Sequence, residues 1–264
     1  WDQASFPDAS NAEAILDGAT LTADRTVTLD DNVTANTVTF QNTDQNAYTL
    51  EAASGKKLTL AGSNPRFEYL DIGSTLGSRI KTSVDVSSGT GDAVFSFQKS
   101  GGAVGVDWDG DLNINRTTRF ALDSFVTFTH SGNITGTGDV TINHEGSAQA
   151  SFTGSNHTFD GQLTVNAATQ KSSVNTVLFS SLPQDVPLHI GPRTELEFPD
   201  NDVVLSALTG TGTIDGSTNA PRITLNVESG TEQIGPSVSS NFLNFSKTGA
   251  GTVVFNNGWR LNAN

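Results

Sequence analysis

The residues of this chain best suited to chemistry are the carboxylates of VDWDGDLNIN, where Asp107, Asp109 and Asp111 alternate and Asn113 follows. Oxygen donors two positions apart around a glycine turn make the hard, oxygen-rich arrangement that Ca2+ favours. Gly110 comes too early, and no closing Glu follows, for an EF-hand loop. On a strand these side chains would share one face, where their mutual repulsion would draw in a cation or a nearby base. A plain solvated acidic face is the competing reading. Ca2+ is thus the one cofactor the sequence suggests, with Asp107, Asp109 and Asp111 as its metal ligands.

Other chemistry is harder to assemble. His130, His144, His157 and His189 show neither HExxH nor HxH spacing, and each is expected on a solvated strand face or at a turn. No GxSxG elbow, GxxxxGK phosphate loop or GxGxxG fingerprint occurs. The pairs Gly89/Gly91, Gly136/Gly138, Gly210/Gly212 and Gly249/Gly251 each separate two apolar runs and read as turn punctuation. Asp30-Asp31, Asn42-Thr43-Asp44 and Arg79-Ile80-Lys81 resemble fragments of the polygalacturonase signature. That family places Asn-Thr-Asp before the Asp pair and a His-Gly between the pair and Arg-Ile-Lys; here the order is reversed, and no histidine precedes His130. A glycosidase pair also needs one cleft holding its carboxyls about 5–9.5 Å apart, which scattered turn aspartates do not suggest. The chain reads as non-enzymatic.

The elements that must position these residues are strands. In Gly132 to Ala167 the runs NIT, DVTIN, AQASF, HTF and QLTVN each alternate apolar and polar residues, and Gly, Asn, Asp or Ser closes each one. A period of two means one buried face. No run is long enough to bury much alone, so the units must stack on one another. The same pattern recurs from TVTL (26–29) to TVVF (252–255), with turn signals every 8–12 residues and almost no helical periodicity. Phenylalanine occurs 15 times, mostly as the last apolar residue of a strand, which predicts an internal aromatic ladder. Trp1, Trp108 and Trp259 are the candidates for exposed contacts with carbohydrate or a partner.

Composition narrows the partners. Asp and Glu number 28 against 14 Lys and Arg, a net charge of −14, which argues against nucleic acid and anionic membranes. Cysteine and methionine are both absent, so there is no disulfide framework or thiolate site, and an oxidising extracellular setting would suit the chain. The missing initiator at Trp1 suggests a processed secretory product or an excised fragment. No apolar run approaches the roughly 18 residues of a transmembrane segment.

The opening WDQASFPDASNAEAILDG departs from the pattern. Residues 1–18 read as an N-terminal cap or inter-subunit segment, with one or two helical turns and an extended strand at AIL equally open. Residues 19–264 read as a single solenoid. Pro183, Pro187, Pro192 and Pro199 mark the best internal boundary, but strands run through that region. Loosely repeated strands without a fixed period favour a β-helix over a sandwich.

GTGDVTINHEGSAQASFTGSNHTFDGQLTVNA (136–167) resembles the autotransporter-associated β-strand repeat, GxGxLxKxGxGxLxLxGxNxYxGxTxVNxG, and LTGTGTID (208–215) and FSKTGAGTVVFNN (245–257) are partial copies. Asp139 and His144 replace commoner residues of that motif, and no outer-membrane barrel pattern is visible in the chain. The resemblance implies an all-β, right-handed parallel β-helix displayed outside the cell. The combined expectation is a secreted, non-catalytic structural or surface-display solenoid that associates with itself, as an oligomer or filament. Trp1, Phe6, Trp259 and Leu261 would make the contacts between copies. A carbohydrate-binding adhesin, with extracellular polysaccharide as partner, is the alternative; a polysaccharide-degrading β-helix is third.

Overall fold

Every paired strand runs parallel to its neighbour one coil away, roughly 20–30 residues on in sequence, as the stacking argument requires. The computed structural model describes residues 8–17, 23–42, 46–71, 78–99, 103–146, 148–167, 175–198, 201–216, 222–238 and 244–256. Among these residues the chain is all strand and turn, coiled into a parallel β-solenoid. A first sheet of eleven strands runs from Glu13–Asp17 to Asn244–Thr248, and a second of ten runs from Arg25–Leu29 to Ser237–Val238. A third sheet has only six strands, from Val33–Ala35 to Thr158–Phe159. The first six coils are therefore three-sided, and the later ones have lost their third side. Thr231–Ile234 and Thr252–Phe255 form a separate pair near the C-terminal end.

Alternation places side chains as the sequence implies. Along Val140–His144, Val140, Ile142 and His144 point inward, while Thr141 and Asn143 lie outward. Parallel register then stacks like positions into columns. In one, Phe67, Phe95 and Phe120 follow each other up the first sheet, with ring centroids 6.0 and 5.2 Å apart and planes within 18° and 22°. In the second sheet Ile80, Trp108, His130, Phe152 and Phe179 occupy a single column. Phe40, Phe152 and Phe179 are fully buried, as expected. Each such ring contributes about 2–3 kcal/mol by burial, and offset pairing adds about 0.5–1.5.

The turn backbones stack as closely as the strands do. A Cβ on Gly110 would overlap the Thr82 carbonyl, on Gly132 the Gly110 carbonyl, and on Gly154 the Gly132 carbonyl. Glycine recurs in this corner because nothing larger fits between successive coils.

The N-terminal segment takes the extended alternative. Glu13–Asp17 pairs with Thr37–Asn42 as the first strand of the first sheet, with Ala14 and Leu16 buried and Ile15 outward. Its last five strand residues thus belong to the solenoid rather than to a separate segment. Trp1 and Phe6 lie outside the described residues, as do Trp259 and Leu261. Through the proline-marked region the first sheet continues unbroken. Pro187 sits in Val186–Ile190, where the register shifts between Val186 and Pro187. A residue with no N–H is accommodated at such an irregularity.

Candidate functional site

Asp107, Asp109 and Asp111 all point outward, but they do not share one strand face. Asp107 is on Val104–Trp108 of the second sheet, and Asp109 and Asp111 lie in the turn that leads to Leu112–Ile114 of the third. They do not converge on an ion site. Asp107 stands opposite Arg79 across the strands. Asp109 approaches the Arg79 Nε at 3.8 Å and accepts a hydrogen bond from the Ser131 hydroxyl at 2.9 Å. Asp111 accepts the Asn133 N–H at 2.8 Å. Among the described residues no group of three His, Asp or Glu side chains is arranged to hold a metal ion. The turn between the second and third sheets carries these carboxylates apart, and cross-coil partners take up Asp109 and Asp111.

The fragments that resemble polygalacturonase are also scattered. Asp31 is exposed and held below its usual pKa, first by its hydrogen bond with Lys56 at 2.7 Å and then by the Asn32 N–H. Arg79 points outward beside buried Ile80, and Lys81 stands 4.0 Å from Glu51. Thr43 and Asp44 fall outside the described residues.

Three histidines overturn the expectation of solvated positions. His130 and His144 are fully buried and His157 nearly so; only His189 faces outward, within 3.0 Å of the Thr209 hydroxyl. Each occupies an inward place in the alternation that an apolar residue fills in neighbouring coils. Burial pushes all three down to about 4, so they are neutral at physiological pH. The Gly110 carbonyl accepts from His130 Nε2 at 3.0 Å, and the Ile134 N–H donates to His157 Nδ1 at 3.0 Å. Neither ring nitrogen of His144 makes an aligned hydrogen bond, although the backbone of Ala148 favours its proton. Trp108, expected as an exposed contact, is also core, packed on Phe67 and Phe95 at 4.9 and 5.3 Å.

Sequence reasoning missed Arg116. It is buried, and its guanidinium donates to three carbonyls of earlier coils: Nε to Ser87 at 2.6 Å, and Nη1 to Gly62 and Thr90 at 2.9 and 3.1 Å. Burial lowers its pKa. The residue laces the coils together across a turn.

The turns carry a second regular device. A turn Asp, Asn or Gln accepts the backbone N–H at the corresponding place one coil later. Asn32 so holds Lys57, Asp111 holds Asn133, Asn133 holds Asn156, Asp139 holds Gln162, and Asp202 holds Arg222. These bonds satisfy donors that the strand ladders leave over at each corner. The series Asp111–Asn133–Asn156 ends where the third sheet ends. Asn156 receives the bond from behind, but its own carboxamide has no partner.

A groove of about 400 Å3 opens at this place, where Thr158–Phe159 is the last strand of the third sheet. Asn156, Thr158, Asp160, Gln184, Asn201 and Asp202 line it, with Phe159, Leu182 and Val203 beneath. Asp202 and Gln184 each hold an N–H of the next coil through one oxygen, whereas the side chains of Thr158, Asp160 and Asn201 have no partner. A smaller groove of about 260 Å3 lies on the outer face of the first sheet, beside Gln98, Asp123, Asn143 and Glu145. Near it in sequence, Phe125 is 49% exposed with φ at 70°, a left-handed conformation rare for a bulky residue. Farther along, Glu195 is held above its ordinary pKa by partial burial, then by repulsion from Asp215 and Glu197.

Among the described residues no helix is long and apolar enough to cross a membrane. No family model, curated protein or solved structure matches the chain.

Proposed function

We propose that this chain is a non-catalytic structural solenoid, displayed outside the cell and joined end to end with copies of itself. The observation that carries the reading is the contrast between the sealed interior of most of the ladder and the weaker burial in Asn244–Thr248 and Thr252–Phe255. Inward positions are sealed through most of the molecule, but Phe245, Val253 and Phe255 in the final coil are only partly buried and Val254 is 40% exposed. At the other end Glu13–Asp17 has a single ladder partner among the described residues. An end-to-end contact between the first and last coils of two copies is heterologous and extends into a fibre instead of closing. The acidic, sulfur-free composition and the resemblance of residues 136–167 to autotransporter-associated repeats support display at a cell surface. Trp1, Phe6, Trp259 and Leu261 remain the proposed contact residues. Light scattering over a concentration series tests the association. Mass should rise with concentration for the full chain and fall to that of a monomer after deletion of residues 256–264. A full chain that stays monomeric at high concentration overturns the reading.

A further inference from the structure

We propose that the groove at the end of the third sheet binds a short, uncharged saccharide through Asn156, Asp160 and Asn201. The site follows from the change in the coil. At this corner Asn32, Asp111 and Asn133 each hold an N–H of the next coil. Asn156, in the last coil with a third side, is the first of the Asp111–Asn133–Asn156 series that does not. Asn156 keeps a free carboxamide, and Thr158, Asp160 and Asn201 keep free polar groups, around one groove of about 400 Å3. That volume falls in the ordinary range for small-ligand sites.

The chemistry of the lining selects the ligand class. Carboxamides and carboxylates present paired donors and acceptors that match neighbouring hydroxyls, each of which both gives and receives a hydrogen bond. Phe159, Leu182 and Val203 lie buried under the groove, so contact with a ligand falls to the polar side chains of its walls. No Lys or Arg lines the groove, so an anionic ligand would meet Asp160 and Asp202 without compensation. An added peptide strand is disfavoured for a different reason. Thr158–Phe159 offers a two-residue edge, too short for strand addition, which needs alternating pockets along several paired residues. His157 also borders the groove, but its Nδ1 is occupied by the Ile134 N–H.

The proposal goes beyond end-to-end association and does not depend on it, because the groove lies in the middle of the ladder. The test is titration calorimetry of the full chain with four neutral tetrasaccharides, built respectively from β-linked glucose, α-linked glucose, xylose and N-acetylglucosamine. At least one should bind, and Asn156→Ala and Asp160→Ala should each weaken it at least tenfold. Asp123→Asn, at the smaller groove, should leave binding unchanged. Thermal melts of Asn156→Ala should match the parent, since its carboxamide holds nothing in the fold. Asn156→Asp, which keeps the shape but loses the amide donor, provides a second reading of the same position. Failure of all four sugars to bind at millimolar concentration overturns the proposal. Undiminished binding in the Asn156→Ala/Asp160→Ala double variant does so equally. Neither result bears on self-association, which light scattering reads separately.

Discussion

The three-sided coils before Phe159 and the two-sided coils after it solve the same stacking problem with different interiors. The register partners Thr37 and Arg66 span a long coil of the first kind, Leu188 and Leu208 a short one of the second. A wider cross-section needs larger fillers, and the three-sided part holds Trp108, Tyr69 and most of the fully buried phenylalanines. Beyond Phe198 the fully enclosed interior is aliphatic, with Leu205, Leu208, Ile214, Ile223 and Leu225. The wide part also encloses polar atoms that the narrow part avoids. Among the described residues, every buried side-chain nitrogen without a partner belongs to Trp108, Arg116, Arg119, His130, His144 or His157. Width gives room for bulky polar rings but moves some of their nitrogens beyond reach of the backbone. The three-sided part should therefore be the more sensitive to acid and to loss of volume.

Acid is the strongest way to test this. His130, His144 and His157 take up protons near pH 6.5 when unfolded but only near 4 in the fold. Stability from their neutral burial is complete above about pH 6.5 and is lost as pH falls through 6.5 towards 4, at a limit of roughly 3 kcal/mol each. Denaturant titrations should show a steep fall in stability across that window. His144→Leu should reduce the slope by about a third and cost little at pH 7, because that imidazole has no aligned hydrogen bond to lose. A slope unchanged in His144→Leu would remove this residue from the account.

Next in size is the cavity effect. Phe120→Ala, in the middle of the aromatic column, should cost about 3–5 kcal/mol. Leu208→Ala in the narrow part should cost nearer the lower end of about 2–5 kcal/mol, since two facing sheets can close on a void more readily than three. Denaturation midpoints at fixed slope measure both. A Leu208→Ala cost above that of Phe120→Ala breaks the comparison.

The smallest expected effect is the sharpest. Asn133 and Asn156 occupy matching corners one coil apart, in the last two coils that have the third side. Asn133→Ala removes a 2.9 Å bond to the Asn156 N–H and should cost about 1 kcal/mol. Asn156→Ala should cost close to nothing. Equal losses would mean that Asn156 has a partner in the fold, and the groove would lose its free amide.

Much of this was legible in the chain. Period-two runs gave the strands, and stacking by necessity gave the parallel ladder. The phenylalanines at strand ends gave the buried column, because a strand residue's face is decided by its immediate neighbours. The same rule pointed Asp107, Asp109 and Asp111 outward, but it did not show the turn after Trp108 that divides them between two sheets. It also marked His130, His144, His157 and Trp108 as inward, each flanked by outward polar positions, but residue type was allowed to override the alternation.

Register between distant coils lay beyond local pattern. Only the tertiary structure showed that Asp111 meets Asn133 and Asn133 meets Asn156, that Arg116 reaches back to Ser87, Thr90 and Gly62, and that the third sheet stops at Phe159. The physical reason is that alternation fixes which face a residue takes within its own strand. Which residue lies above it depends on how many sides each coil has, and that is settled by the summed packing of all coils together.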